Sequence, residues 1–226
     1  MDYSFLKLHW PFSLMICGSS GCGKTTLTIQ IVENIKEYST FTPEKIYLIY
    51  SEMQPLYREL QSKSPCPVVL VQGLDKDFEP PPRCLLIIDD LQNTGDKDVI
   101  RQLFTVKSHH KNVSVLYLVQ NLFDKDPRHR TISLNANYIA LFRNPRDASQ
   151  IVHLAKQMRP DNPGAMQMAY KHATKQPHSY LFVDLRQATP DWARLRTSVG
   201  PVSKLIRSFV YCERNDLEAV YFPLRK

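Results

Sequence analysis

Residues 12–28, FSLMICGSSGCGKTTLT, begin as an apolar run, turn through a glycine-rich loop and continue with helical spacing. Gly18, Gly23, Lys24 and Thr25 occupy every fixed position of the phosphate-loop pattern G-x-x-x-x-G-K-[ST]. The chemistry requires these residue types. Glycines let backbone N–H groups approach phosphates closely, and the following helix directs its positive end at them. Lys24 is expected to reach the β- and γ-phosphates, and the Thr25 hydroxyl to hold Mg²⁺. A chance match is expected in about one chain in a hundred of this length from average Gly and Lys usage. Here the required strand before and helix after are both indicated. The loop therefore predicts a nucleotide site at Gly18, Ser19, Ser20, Gly21, Cys22, Gly23, Lys24, Thr25 and Thr26.

Around that loop the composition is that of an ordinary globular chain. The 226 residues are 43% hydrophobic and 23% charged, which argues against disorder and allows one large core. The five cysteines are odd in number and form no C-x-x-C pair, which argues against a disulfide framework or zinc site. Cys22, close to a helix N-terminus, is a candidate for a lowered thiol pKa, although a small tolerated residue is the simpler reading. No apolar run approaches the ~20 residues that span a bilayer, and the opening MDYSFLKLHWPF does not read as a signal peptide. The net charge of +7 is unevenly spread. Residues 1–90 hold 8 Lys/Arg against 11 Asp/Glu, and residues 91–226 hold 21 against 11. Such asymmetry points to a polyanion, most simply nucleic acid, with a solvated basic surface as the alternative.

Along the chain, apolar runs alternate with helical stripes. Strands are expected at 12–17, 45–51, 67–72, 84–91, 113–119, 138–142 and 180–185. Helices are expected at 24–38, 54–61, 97–107, from 143 onward with Ala148, Ile151, Val152, Ala155 and Met158 as the buried stripe, and at 163–173. Residues 73–83, with three consecutive prolines, and the charged stretch 122–130 read as loops. Residues 205–212 are compatible with helix or strand. The alternation implies βαβ crossovers, hence a mostly parallel sheet with helices on both faces. Nothing marks a linker or repeat, so residues 1–226 read as one domain, with a core at about 12–197 and a C-terminal extension at 198–226.

The segment CLLIIDDL (84–91) is the second informative feature: four apolar residues ending in paired carboxylates. A buried parallel strand delivers its C-terminal residues to the crevice where open α/β sheets bind ligands. Asp89 is expected to hold Mg²⁺, directly or through water, as the acidic partner of Thr25, and Asp90 to polarise an attacking water. Without a phosphate loop upstream, two solvated aspartates would be the simpler reading.

Four stretches together resemble the packaging ATPases of the FtsK–HerA superfamily: GSSGCGKT (18–25), LLIIDD (85–90), SVLYLVQNLF (114–123) and ISLNANYIALFRNPRD (132–147). The resemblance is nearest to the packaging ATPases of large eukaryotic DNA viruses, virophages and Polinton/Maverick elements. The poxvirus virion-packaging ATPase is a more distant relative. The match runs from about residue 12 to 197, where PHSYLFVDL and ATPDWARLRT still fit, and the last two of the four stretches are its most specific part. It implies a three-layer α/β P-loop NTPase fold of the additional-strand RecA/FtsK-like type. It also implies that Gln120, ending the strand between the two nucleotide-binding strands, senses the γ-phosphate. Members assemble as rings, hexameric or pentameric, in which a neighbour's arginine completes the site. Arg146 is the first candidate for that role, Arg143 the second and Arg130 the third. One departure is that the second carboxylate, usually Glu, is here Asp90, one methylene shorter.

The expected activity is Mg²⁺-dependent ATP hydrolysis driving double-stranded DNA into a capsid, with Lys24, Asp90, Gln120 and Arg146 as catalytic residues and Thr25 and Asp89 as metal ligands. Expected partners are sequence-independent duplex DNA, further copies of the chain, and capsid or portal-type proteins. The expected setting is the cytoplasm or nucleus of an infected cell, or the virion. Residues 107–111 and 125–130 are the expected basic DNA contacts. A GTPase switch has one point in its favour, the N-x-x-D spacing of Asn121 and Asp124, but Leu122 stands where lysine is needed. A nucleotide or nucleoside kinase and a non-motor DNA-binding subunit are the remaining rival functions.

Overall fold

The computed structural model of the chain describes residues 6–89, 91, 97–108, 111–200, 209–214 and 216–221. Its frame is a ten-stranded sheet in the order β10-β9-β8-β7-β6-β1-β5-β4-β2-β3. The parallel half comprises β1 (Ser13–Cys17), β2 (Lys45–Tyr50), β3 (Val68–Gln72), β4 (Cys84–Asp89), β5 (Ser114–Val119) and β6 (Tyr138–Phe142). Antiparallel pairing then adds β7 (Tyr180–Asp184), β8 (Leu195–Arg196), β9 (Phe209–Arg214) and β10 (Asp216–Tyr221). The fold is thus α/β with a mostly parallel central portion.

The central strands are buried on both faces, which is why they read as unbroken apolar runs. Alternate residues feed two cores. Leu14, Ile16, Leu85, Ile87, Leu116 and Leu118 pack on one side with α1 (Lys24–Glu33), α2 (Ile35–Tyr38) and α3 (Pro55–Lys63). Met15, Cys17, Leu86, Ile88, Val115 and Tyr117 face the other side. That core is closed by α4 (Lys97–Gln102), α5 (Pro127–Leu134), α6 (Ser149–Met158) and α7 (Pro163–Ala173). Three layers follow from the period-2 alternation of strands apolar on both sides.

Several elements differ in detail from expectation. The helix expected over 24–38 breaks at Asn34 into α1 and α2. Beyond Gln102 the helix widens into a π-helical stretch, Leu103–Lys107, without leaving the core. The stretch 122–130 is not all loop. Asp126 caps α5 by accepting from the Arg128 N–H (2.9 Å), and Pro127 takes the first turn, a start signal masked by the run of charges. In α6 the buried stripe is Gln150, Ile151, Leu154 and Ala155, whereas Ala148 is exposed and Val152 half-buried. The helix begins at Ser149 and not at 143 as expected, so Ala148 stands before it and outside its buried stripe. Residues 209–214 resolve the helix-or-strand ambiguity as β9, while 201–208 lie outside the described residues.

The antiparallel half is held by a buried charge cluster. Asp184 at the end of β7 accepts from Arg186 (2.8 Å) and Arg196 (3.3 Å), and both Asp184 and Arg196 are fully buried. The Arg186 guanidinium lies over Tyr138 and that of Arg196 over Phe182. Removing one partner of a buried pair leaves an uncompensated charge, which costs about 3–5 kcal/mol. Asp184→Ala should therefore lower the unfolding free energy by about that much in urea titrations. A loss below ~1 kcal/mol would show that the cluster does not anchor these strands.

Candidate functional site

The strand β1 ends at Cys17, and the Gly18 N–H donates to the Val119 carbonyl (3.1 Å), fixing the loop to the end of β5. A Cβ on Gly18 would lie 2.6 Å from the Cys22 sulfur and 2.7 Å from Phe142 Cβ, so only glycine fits there. Gly23 is left-handed (φ 111°) and starts α1 without a side-chain cap. The first-turn N–H groups therefore have no partner inside the helix and form the anion-binding end of the loop. No acidic residue occupies that turn. Lys24 folds back over the loop, donating to the carbonyls of Gly18 (2.7 Å) and Ser19 (3.1 Å).

A cleft of about 300 Å³ gathers most of the predicted residues. Ser20, Gly21, Gly23, Lys24, Thr25 and Thr26 line it from the loop, Asp89 from β4 and Gln120 from β5. Gly18 closes the base of the loop, and Ser19 and Cys22 turn to its other side, where they line a second, smaller cleft. Asp90 lies outside the described residues. Asp89 is 6% exposed and accepts a hydrogen bond from the Tyr57 hydroxyl (3.0 Å), which is itself buried. Among the described residues no cluster of three His, Cys, Asp or Glu could cage a metal. A hydroxyl and one carboxylate in a shared cleft instead suit Mg²⁺, which keeps waters and substrate oxygens in its shell.

The arginines are dispersed. Arg146 and Arg143 are exposed on the β6–α6 turn, and Arg130 is exposed on α5. None of the three lines the cleft of its own chain that holds Lys24. The turn is wired to the end of β5 through Gln150. Its side-chain oxygen accepts from the Leu122 N–H (2.6 Å), and its amide donates to Asp147 (2.6 Å) and Asn121 (3.3 Å). Asn144 receives the neighbouring Arg146 N–H (3.2 Å).

Four contributors escaped the sequence reading: Gln54 and Leu56 in the cleft, Tyr57 behind Asp89, and His178 over the loop. The first three follow β2, whose Tyr50 is in register with Asp89, so the carboxyl end of β2 was the available signal. The expected basic contacts need correction. His129 is buried with its Nε2 against the Leu122 carbonyl (3.0 Å), and burial lowers its pKa. Arg128 forks onto Asp126, holding that carboxyl well below the usual range, and also reaches Asp98. Lys111 pairs with Glu79. The histidines at 109 and 110, and the side chain of Lys107, lie outside the described residues. Lys125 and Arg130 remain as exposed cations.

No protein-family model matches the chain, and no curated protein matches its sequence. Solved structures resemble it at low identity. The genome packaging NTPase B204 of Sulfolobus turreted icosahedral virus 2, in complex with ATP-gammaS, has a TM-score of 0.46 and 15% identity, covering 77% of this chain and 92% of that one. ATPases 2 and 3 of EccC from Thermomonospora curvata, with a signal sequence peptide, reach 0.49 at 13% identity over 90% of this chain and 38% of theirs. The Legionella pneumophila ATPase DotB has 0.38 at 13%, covering 76% of this chain and 54% of its own. Among the described residues no helix is long and apolar enough to cross a membrane.

At Cys22, burial raises the thiol pKa above its ordinary value, outweighing the nearby Lys24 charge and the hydrogen bond from the Lys24 N–H, which favours the simpler reading of a small tolerated residue. Cys17, deeper in the core, is pushed up to about 12. A raised pKa means less thiolate at neutral pH. Iodoacetamide should label Cys22 more slowly than a free thiol at pH 7.5. Labelling faster than glutathione at pH 7.5, read by mass spectrometry, would contradict the burial account.

Proposed function

We propose that the protein hydrolyses ATP with Mg²⁺ and couples hydrolysis to movement of double-stranded DNA, packaging a viral genome. The observation that carries the hydrolytic part is the position of β5 between β1 and β4. It sets Gln120 between the phosphate loop and Asp89 in one cleft. A water-orienting amide between a phosphate cradle and a metal-binding carboxylate is the arrangement that phosphoryl hydrolysis needs. The DNA and packaging part rests on the resemblance carried by 114–123 and 132–147 and on the basic excess of residues 91–226.

In this reading Lys24 exchanges the two loop carbonyls it now holds for phosphate oxygens. The N–H groups of the loop and of the first turn of α1 bind the remaining phosphate charge. Thr25 and Asp89 would hold Mg²⁺, which neutralises charge developing on the phosphates when bound. Gln120 and Asp90 orient and polarise the attacking water. Arg146, exposed and outside its own chain's cleft, serves a neighbouring copy in a ring. An arginine supplied in this way is worth roughly 10³–10⁵ in rate. Lys125 and Arg130 would contact DNA phosphates without reading sequence, so binding should weaken steeply with salt.

The test is ATP turnover with and without long duplex DNA. Stimulation by DNA and a preference for ATP over GTP are expected, and no stimulation would contradict the motor reading. Lys24→Ala should keep the fold and lose at least about a hundred-fold in turnover. Tyr57→Phe removes one hydrogen bond to a charged group, worth about 1.5 kcal/mol. It should raise the Mg²⁺ needed for half-maximal activity about tenfold and weaken Mn²⁺ binding in the presence of ATP by the same factor. An unchanged Mn²⁺ affinity would show that Tyr57 does not position Asp89.

A further inference from the structure

The phosphate loop borders two clefts. Ser20, Gly21 and His178 line both, so the two spaces meet over the apex of the loop. The second space is bounded by Arg143, Gln176, Pro177 and His178 and measures about 210 Å³. That is below the ~300 Å³ of a self-standing ligand pocket, as fits the outer half of a longer site. It contains neither Lys24 nor Asp89. One wall is the outer side of the loop, Ser19 to Cys22, and facing it are one guanidinium, one amide, and the flat surfaces of a proline and an imidazole.

Its walls are anchored from three directions. The 175–179 turn closes on itself, with the Ser179 hydroxyl (2.5 Å) and N–H (3.3 Å) donating to the Gln176 carbonyl. His178 holds a left-handed backbone (φ 60°) and sets its Nδ1 3.1 Å from the Cys22 carbonyl, joining the turn to the phosphate loop. On the opposite wall, Tyr170 donates to the Phe142 carbonyl (3.0 Å) and accepts from the Asn144 N–H (3.1 Å), bracketing Arg143 on both sides. A left-handed non-glycine residue is uncommon, and here it is tied to the loop's own backbone.

We propose that this second cleft is the nucleoside half of the site. The base stacks on Pro177 and His178, and Arg143 and Gln176 meet the ribose and base edges. The inference rests on the nucleotide-site reading and adds the subsite that determines recognition beyond the phosphates. Flat side chains accept any base face, whereas the guanidinium and amide select among base edges. It also assigns Arg143 to its own chain's nucleotide, leaving Arg146 as the arginine of that turn free to reach a neighbour.

The test compares Mg·ATP with inorganic Mg·tripolyphosphate as ligands, by calorimetric titration of the full chain. His178→Asn retains a residue that tolerates the left-handed backbone, and Arg143→Gln retains length and polarity. Each should weaken ATP binding about tenfold and leave tripolyphosphate binding within about twofold. A parallel loss for both ligands would show that the turn merely supports the loop, and unchanged affinity for both would place the nucleoside elsewhere. Either result overturns the assignment. Wild-type protein that binds neither ligand would instead overturn the nucleotide-site reading itself.

Discussion

Everything in the site depends on three parallel strands ending within one residue of one another. Cys17 is in register with Val119, and Asp89 with Leu118, so β1 and β5 finish level at the carboxyl edge of the sheet and β4 one residue short of them. Gly18 and Gln120 come one residue beyond the Cys17–Val119 pair, and Asp89 one residue before it. A slip of one residue in any of these pairings would turn the whole strand over and exchange its two core faces. The strands resist that because both faces are buried and differently populated: Leu116 and Leu118 toward α1–α3, and Val115, Tyr117 and Val119 toward α4–α7. The geometry of the candidate site is thus enforced by the apolar packing of the strands that carry it. The Gly18–Val119 hydrogen bond and the close approach of Gly18 to Phe142 then lock the loop onto β5 and β6.

Much of this was readable in the residues because burial on both faces leaves an unmistakable signature. MIC, LLIID and VLYLV could be little else than central strands, and the residues just after such strands are where ligands bind. The phosphate loop was legible for another reason: its constraints are local, a left-handed Gly23 and a side-chain-free Gly18. What escaped depends on three-dimensional neighbours. Tyr57 sits in a short helix where an aromatic residue reads as core, and its hydroxyl matters only because β2 lies beside β4. Gln150 looks like a flaw in an apolar stripe until its three partners are seen. The charged run 122–130 read as loop because charge obscured an Asp-Pro helix start, and with it the internal pairing of Arg128 and burial of His129. A count of basic residues overstated the cations available to a polyanion there.

The connection between the two ends of the site follows from Gln150. It ties Leu122, two residues past Gln120, to Asp147, one residue past Arg146. The strand end beside the phosphate loop and the turn carrying the outward arginine are therefore parts of one hydrogen-bonded unit. On the other flank, His178 ties the β7 side of the sheet to the loop through Cys22. The antiparallel half, held by the buried Asp184 cluster, is thereby joined to the phosphate loop rather than merely extending the sheet.

The claim on which the account turns is that β5 completes a hydrolytic centre rather than merely filling the sheet. Gln120→Ala addresses it directly, because the side chain is exposed at the strand end and its removal opens no cavity in the core. Measured by single-turnover ATP hydrolysis alongside ATP binding, the variant should keep its affinity within about threefold while the hydrolytic step slows roughly 10²-fold or more. An unchanged hydrolytic rate with intact binding would contradict the account.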